Sequence, residues 1–206
     1  MNTHVKESRP KVLLYEPRYL LHNAASHLFE ELGWNVFDIR ADMFIEDCCS
    51  IADKTTLIAL DINGAGKNII PFLRAIHRLS SMNYKIIVWL PKKDSTFSIL
   101  LNSLGVRHIF KESTLHEEIA TFSARHFPPG NDQEQPKQRK KLSNSELDIL
   151  IDISKGMSVA SIANVRHCSR KTVYSLKRNI LTRLEITNHE WIVMLSRILK
   201  IQSIVS

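Results

Sequence analysis

The 206-residue chain contains no uninterrupted apolar run of about 18 residues, the length that a membrane-crossing helix requires. Its first stretch, MNTHVKESRPKVLLYEPRYLL, lacks a continuous apolar segment followed by a small-residue cleavage site, so no secretory signal is expected. Cysteine is scarce: Cys48, Cys49 and Cys168 are odd in number and two are adjacent, which argues against a disulfide framework and for a reducing, cytoplasmic setting. No metal-ligand pattern stands out. His22 and His27 are five apart and therefore off a common helical face. The segment DINGAGKN resembles part of a phosphate-binding loop. The full motif, however, requires Gly where Asp61 stands and Ser or Thr where Asn68 stands. With no intact phosphate loop and no nucleophile–base pair, neither an enzyme nor a bound cofactor is expected.

At 44% hydrophobic and 24% charged residues, the composition is that of a folded globular protein. The charge is unevenly placed. Residues 1–136 hold 15 Lys and Arg against 16 Asp and Glu, a balance of −1, whereas residues 137–206 hold 13 against 5, a balance of +8. A near-neutral front joined to a cationic back points to a polyanionic partner for the back.

Residues 128–141, PPGNDQEQPKQRKK, combine three prolines, a glycine and a polar tract without an apolar face, and read as a linker between domains at 1–127 and 142–206. In the front domain, the runs KVLLY (11–15), NVFDI (35–39), TLIALD (56–61), KIIVWL (85–90) and VRHIF (106–110) read as strands. Helical periodicity lies between several of them, over Leu20 to Leu32 and Ile69 to Met82, and again after the last, over Leu115 to Phe127. This alternation predicts an α/β doubly wound domain with a parallel five-stranded sheet of order 2-1-3-4-5. The span from Ala41 to Lys54 carries the weakest helical pattern.

The back domain reads as all-α. Ser143 followed three residues later by Glu146 is a capping-box signature, and Leu147, Leu150 and Ile151 recur at helical spacing before Gly156. A short helix over Val159 to Asn164, the turn VRHC, and a basic helix capped by Ser169 follow; a last helix runs from about His189 to Ile201. Within SRKTVYSLKRN, Val173 and Leu176, with Ile180 beyond, face inward at spacings of three and four. Tyr174, Ser175, Lys177 and Arg178 are left on the outer arc.

Two short helices joined by a tight turn to a basic helix resemble a helix-turn-helix. More specifically, Glu146, Gly156, Ile162-Ala163, Ser169-Arg170-Lys171-Thr172-Val173, Asn179-Ile180 and Arg183-Leu184 resemble the ordered motifs of the LuxR/FixJ (NarL)-type regulators. The basic helix is similar to those of Rcs-like auxiliary regulators. The resemblance implies a transcription regulator that binds double-stranded DNA. Tyr174, Ser175 and Arg178 would approach base edges, while Lys171, Thr172 and Lys177 would meet phosphates. It also implies a dimer helix carrying Trp191, Met194, Leu195 and Ile198, in a homodimer or a heterodimer with a related regulator.

By the same resemblance the front domain is a response-regulator receiver, here a degenerate one. A receiver accepts a phosphoryl group on an Asp ending its third strand, where Asp61 stands, and uses a divalent cation held by that Asp and an acidic pair after the first strand. The pair falls on Glu16 and Pro17, so one acid is missing; the hydroxyl that ends the fourth strand falls on Leu90 and is also missing; Lys111 is retained. Asp61, with Glu16 and Lys111, is therefore expected to be a vestigial phospho-acceptor site. The chain is read as a phosphorylation-independent regulator, controlling genes for surface structures such as capsule, fimbriae or biofilm. A conventional response regulator activated at Asp61 is the alternative.

Overall fold

The computed structural model describes residues 9–40, 48, 50, 51, 53, 56–92, 94–126 and 141–203. The expected linker, apart from Lys141, and most of the weak span between Ala41 and Lys54 lie outside the described residues.

Five parallel strands form one sheet in the order β2-β1-β3-β4-β5, as the alternating pattern predicts. They are β1 (Lys11–Tyr15), β2 (Asn35–Asp38), β3 (Leu57–Asp61), β4 (Lys85–Leu90) and β5 (His108–Lys111). β1, β3 and β4 are almost wholly buried, which is why they read as unbroken apolar runs, while β2 and β5 are the partly exposed edges. One face of the sheet is covered by α1 (Tyr19–Glu31) and α4 (Leu115–His126), which pack Phe29, Ile119 and Phe122 against Leu14, Ala59 and Trp89.

The opposite face receives α2 (Ile69–Ser81) and α3 (Ser95–Ser103), with Phe72, Leu73 and Phe97 against Ile58, Leu60 and Val88. A 3-10 helix, Asn63–Asn68, leads from β3 into α2. Asp94 caps α3 by accepting from the Phe97 N–H at 3.0 Å.

The remaining helices are α5 (Asn144–Ser154), α6 (Val159–Val165), α7 (Arg170–Leu184) and α8 (Asn188–Gln202). The predicted capping box is present: Ser143 Oγ accepts from Glu146 N, and the Glu146 carboxylate accepts from Ser143 N at 2.7 Å. A second box, Thr187 with Glu190, opens α8.

These helices share one continuous apolar cluster with the α2–α3 face of the sheet, running from Leu60 and Phe97 through Leu142 and Leu150 to Met194 and Ile198. Polar contacts line the same seam. His77 Nε2 lies 2.8 Å from the Leu142 carbonyl oxygen, Lys141 Nζ donates to Ser80, and Arg74 pairs with Asp148. The C-terminal helices are thus packed onto the sheet side rather than held at a distance.

Candidate nucleic-acid interface and the Asp61 pocket

The helix-turn-helix is built from local signals. α6 ends at Val165; His167 takes a left-handed conformation (φ 49°); and Ser169 starts α7 by accepting from Thr172 N at 3.0 Å. Arg166 fixes this turn to α5 through Asp148 and Asp152, both at 2.7 Å. Arg183 anchors the far end of α7: its Nε lies 3.2 Å from the buried Glu146, and its Nη1 donates to the Lys141 carbonyl.

α7 buries Val173, Ile180 and Leu184 and half-buries Leu176. Lys171, Thr172, Tyr174, Ser175 and Arg178 are exposed, Tyr174 to 61%. Lys177 is half-buried, with its ammonium 6.0 Å from the centre of the Trp191 ring. The first turn carries Arg170 and Lys171 and no acid. Cations at a helix N-terminus oppose the helix dipole, a local cost that an approaching phosphate would reverse.

α8 places the residues expected at a dimer contact differently. Trp191, Met194 and Ile198 are buried in the chain's own core and Leu195 is half-buried. The apolar residues that α8 exposes are Ile192, Val193 and Leu199.

The second cluster lies at the C-terminal end of the sheet. Asp61 is fully buried, its Oδ1 accepting from Asn63 N at 3.0 Å and its Oδ2 from Gly64 N at 2.8 Å. Glu16 projects from the end of β1, also buried. The two are bridged by Arg18, a residue the sequence reading passed over. Its Nε and Nη2 donate to Glu16 at 2.9 and 2.8 Å, Nη2 lies 3.3 Å from Asp61 Oδ2, and Nη1 donates to Glu112 at 2.8 Å. One guanidinium thus joins carboxylates from the ends of β1, β3 and β5.

Lys111, the basic residue expected there, is exposed, and its backbone N–H donates to Glu118 at 3.3 Å. β4 ends at Leu90, which pairs with Lys111 and lies in the core on the opposite face, while the residue in register with Asp61 is Trp89. Trp89 Nε1 donates to Glu16 Oε2 at 3.0 Å. Pro17, on which the resemblance places a receiver's second acid, packs on the loop after β3; a Cβ at Gly64 would come within 2.3 Å of its ring.

Burial pushes the Asp61 pKa up to about 6, Glu16 adding to the rise and Arg18 and the two backbone N–H groups opposing it. Burial also pushes the Tyr15 phenol up to about 12, helped by Asp61 and Glu16. The Arg18 guanidinium is held firmly charged, chiefly by its bonds to Glu16.

These residues do not fit the divalent cation that a receiver uses. Both oxygens of Glu16 and both of Asp61 already face N–H donors, and Pro17 supplies no side-chain oxygen.

Comparison with known proteins agrees with this architecture. Residues 140–196 match the family of bacterial regulatory proteins called the luxR family. The virulence-factor transcription regulator BvgA of Bordetella pertussis is 29% identical over 196 residues, covering 86% of this chain and 92% of BvgA. Among solved structures, that of the two-component response regulator RcsB in complex with DNA superposes with a TM-score of 0.51 at 17% identity, covering 92% of this chain and all of RcsB. Full-length FixJ from B. japonicum has a TM-score of 0.45 at 12% identity, covering 97% of this chain and 100% of that one. With residues 140–196 the chain carries the DNA-binding region of the luxR family, and it is a DNA-binding transcription regulator of the LuxR and response-regulator kind.

Proposed function

We propose that this regulator binds double-stranded DNA through the outer arc of α7 and does so without phosphorylation of Asp61. Lys171, Thr172 and Lys177 would engage phosphates, and Tyr174, Ser175 and Arg178 the base edges of the major groove. The observation that carries the second half is the filled pocket: Pro17 replaces an acid, Trp89 occupies the strand-four position opposite Asp61, and Arg18 spans the carboxylates. The protein would act in the cytoplasm on genes for bacterial surface structures such as capsule, fimbriae or biofilm.

Paired half-sites would require a dimer, with itself or with a related regulator. Because Trp191, Met194 and Ile198 are committed to the core, the Ile192 and Leu199 face of α8 is the better candidate for that contact.

The competing reading, a conventional response regulator, draws on the position of Asp61 at the end of β3. Incubation with acetyl phosphate and Mg²⁺, followed by intact-mass measurement and DNA-binding titration, separates the two. Unchanged mass and unchanged affinity are expected. An acid-labile phosphate on Asp61 that strengthens DNA binding would establish the competitor.

A further inference from the structure

The Asp61 pocket contains a cation of its own. Three carboxylates converge on it from the ends of β1, β3 and after β5, and two of them, Glu16 and Asp61, are buried. Unpaired buried carboxylates are costly, so a cluster of this kind needs positive charge at its centre. Arg18 provides it from the residue immediately before α1. Its planar fork meets Glu16 through two parallel donors, a geometry that a lysine could not reproduce. Its remaining nitrogen reaches Glu112, and the Nη2 bound to Glu16 also faces Asp61.

We infer that Arg18 is a tethered replacement for the divalent metal of a receiver: its guanidinium neutralises the pocket permanently and closes it to Mg²⁺ and Mn²⁺. This rests on the reading that Asp61 is not a working phospho-acceptor, and it gives that reading a physical cause. A divalent ion bound here would need carboxylate lone pairs facing inward. In this chain those lone pairs face the hydrogens of Arg18, Trp89, Asn63 and Gly64, which repel a cation. An ion entering the pocket would have to expel a guanidinium covalently tied two residues from Glu16, against a high effective local concentration.

The arrangement also explains why the acid at position 17 is dispensable. A metal needs several oxygen ligands, whereas a guanidinium already hydrogen-bonded to Glu16 and Glu112 and ion-paired with Asp61 needs no fourth carboxylate. Pro17 can therefore serve packing, its ring lying against Gly64.

The test is a Mn²⁺ titration of the full-length protein, read by the loss of the electron paramagnetic resonance signal of free Mn²⁺. Wild type is expected to leave the signal undiminished. Arg18→Ala and Arg18→Met, each checked for folding by circular dichroism, are expected to take up one equivalent, and adding Asp61→Asn should abolish that uptake. Uptake of one equivalent by wild type that disappears in Asp61→Asn would overturn the inference. So would folded Arg18 variants that take up none. If neither variant folds, the comparison of wild type with Asp61→Asn decides alone. A parallel sample with acetyl phosphate keeps the two readings apart. Mn²⁺ uptake without Asp61 phosphate sinks only the tethered cation, while Asp61 phosphate sinks the phosphorylation-independent function.

Discussion

Asp61 sits among Glu16, Arg18, Tyr15 and two backbone N–H donors, and its ionisation is uphill there, with a folded-state pKa of about 6 against an ordinary 3.8. A raised carboxyl pKa means that the folded protein binds a proton which the unfolded chain releases, so Asp61 costs stability at neutral pH and this cost fades as pH falls through its folded pKa. Asp61→Asn removes the titration. The stability gap between Asp61→Asn and wild type should therefore shrink by roughly 1–2 kcal/mol between about pH 7.5 and about pH 5. Urea unfolding at both values checks it; a gap independent of pH would mean that the carboxylate is fully compensated by Arg18.

On α7 the residue-scale prediction concerns two neighbours. Arg178 is exposed and unencumbered among its described contacts, so Arg178→Ala should cost about 1–3 kcal/mol on a specific site and relax discrimination, if it reads a base. Lys177→Ala should weaken specific and random DNA alike and flatten the salt slope by about one. Because Lys177 also covers Trp191, its variant needs a thermal-stability control. Equal effects of both substitutions on specific and random DNA would dissolve the division of labour. The outward placement of Arg178 was legible from the spacing of Val173 and Ile180, whereas the seat of Lys177 over Trp191 was not. Nor was the place of Arg18: the predicted strand order brings the ends of β1, β3 and β5 together, but nothing in the spacing tells which way a side chain just beyond β1 turns.

At the scale of elements, the signals that sequence carries best are those satisfied within a few residues. The Ser143–Glu146 box, the Ser169 cap and the unbroken apolar runs of β1, β3 and β4 depend only on local spacing and burial. The end of β4 is the opposite case, where which side chain reaches Asp61's neighbours depends on the strand's facing. Successive strand residues point to opposite faces, so a displacement of one residue exchanges Trp89, beside Glu16, for Leu90, in the other core.

Glu146 also acts beyond its own helix. Besides closing the capping box it accepts from Arg183 of α7, and its side chain is only 3% exposed. Glu146→Ala should strip the Ser143 N–H and the half-buried Arg183 of a partner at once, costing roughly 3–5 kcal/mol. Thr187→Ala, which removes only an exposed cap from α8, should cost about 1 kcal/mol. Denaturant unfolding of the two variants would compare them. Similar losses would show that the α5–α7 tie contributes little.

Across the whole molecule, the side chain of Arg197 ties the Asp61 pocket to the C-terminal helices. Arg197 of α8 donates from Nη2 to the Asn63 side-chain oxygen at 2.6 Å, and its Nε lies 3.9 Å from Asp94 at the start of α3. Asn63 in turn donates its backbone N–H to Asp61. A separation of 134 residues between Arg197 and Asn63 explains why no reading of spacing could pair them. The same contact lets the loop of residues 63–68 hold α8, while α7 keeps its basic arc exposed. Arg197→Ala would leave the Asn63 side chain, whose amide nitrogen already lacks a partner, without its remaining bond. A lost charged hydrogen bond of this type costs about 1.5–3 kcal/mol. Hydrogen exchange should therefore rise both in residues 63–68 and along α8, with the strands of the sheet unaffected. Because the basic arc of α7 is already exposed, DNA affinity at matched salt should change little. Faster exchange in α8 without any change in 63–68 would break the proposed link. A large gain in DNA affinity would instead mean that the seam restrains α7 from a distance.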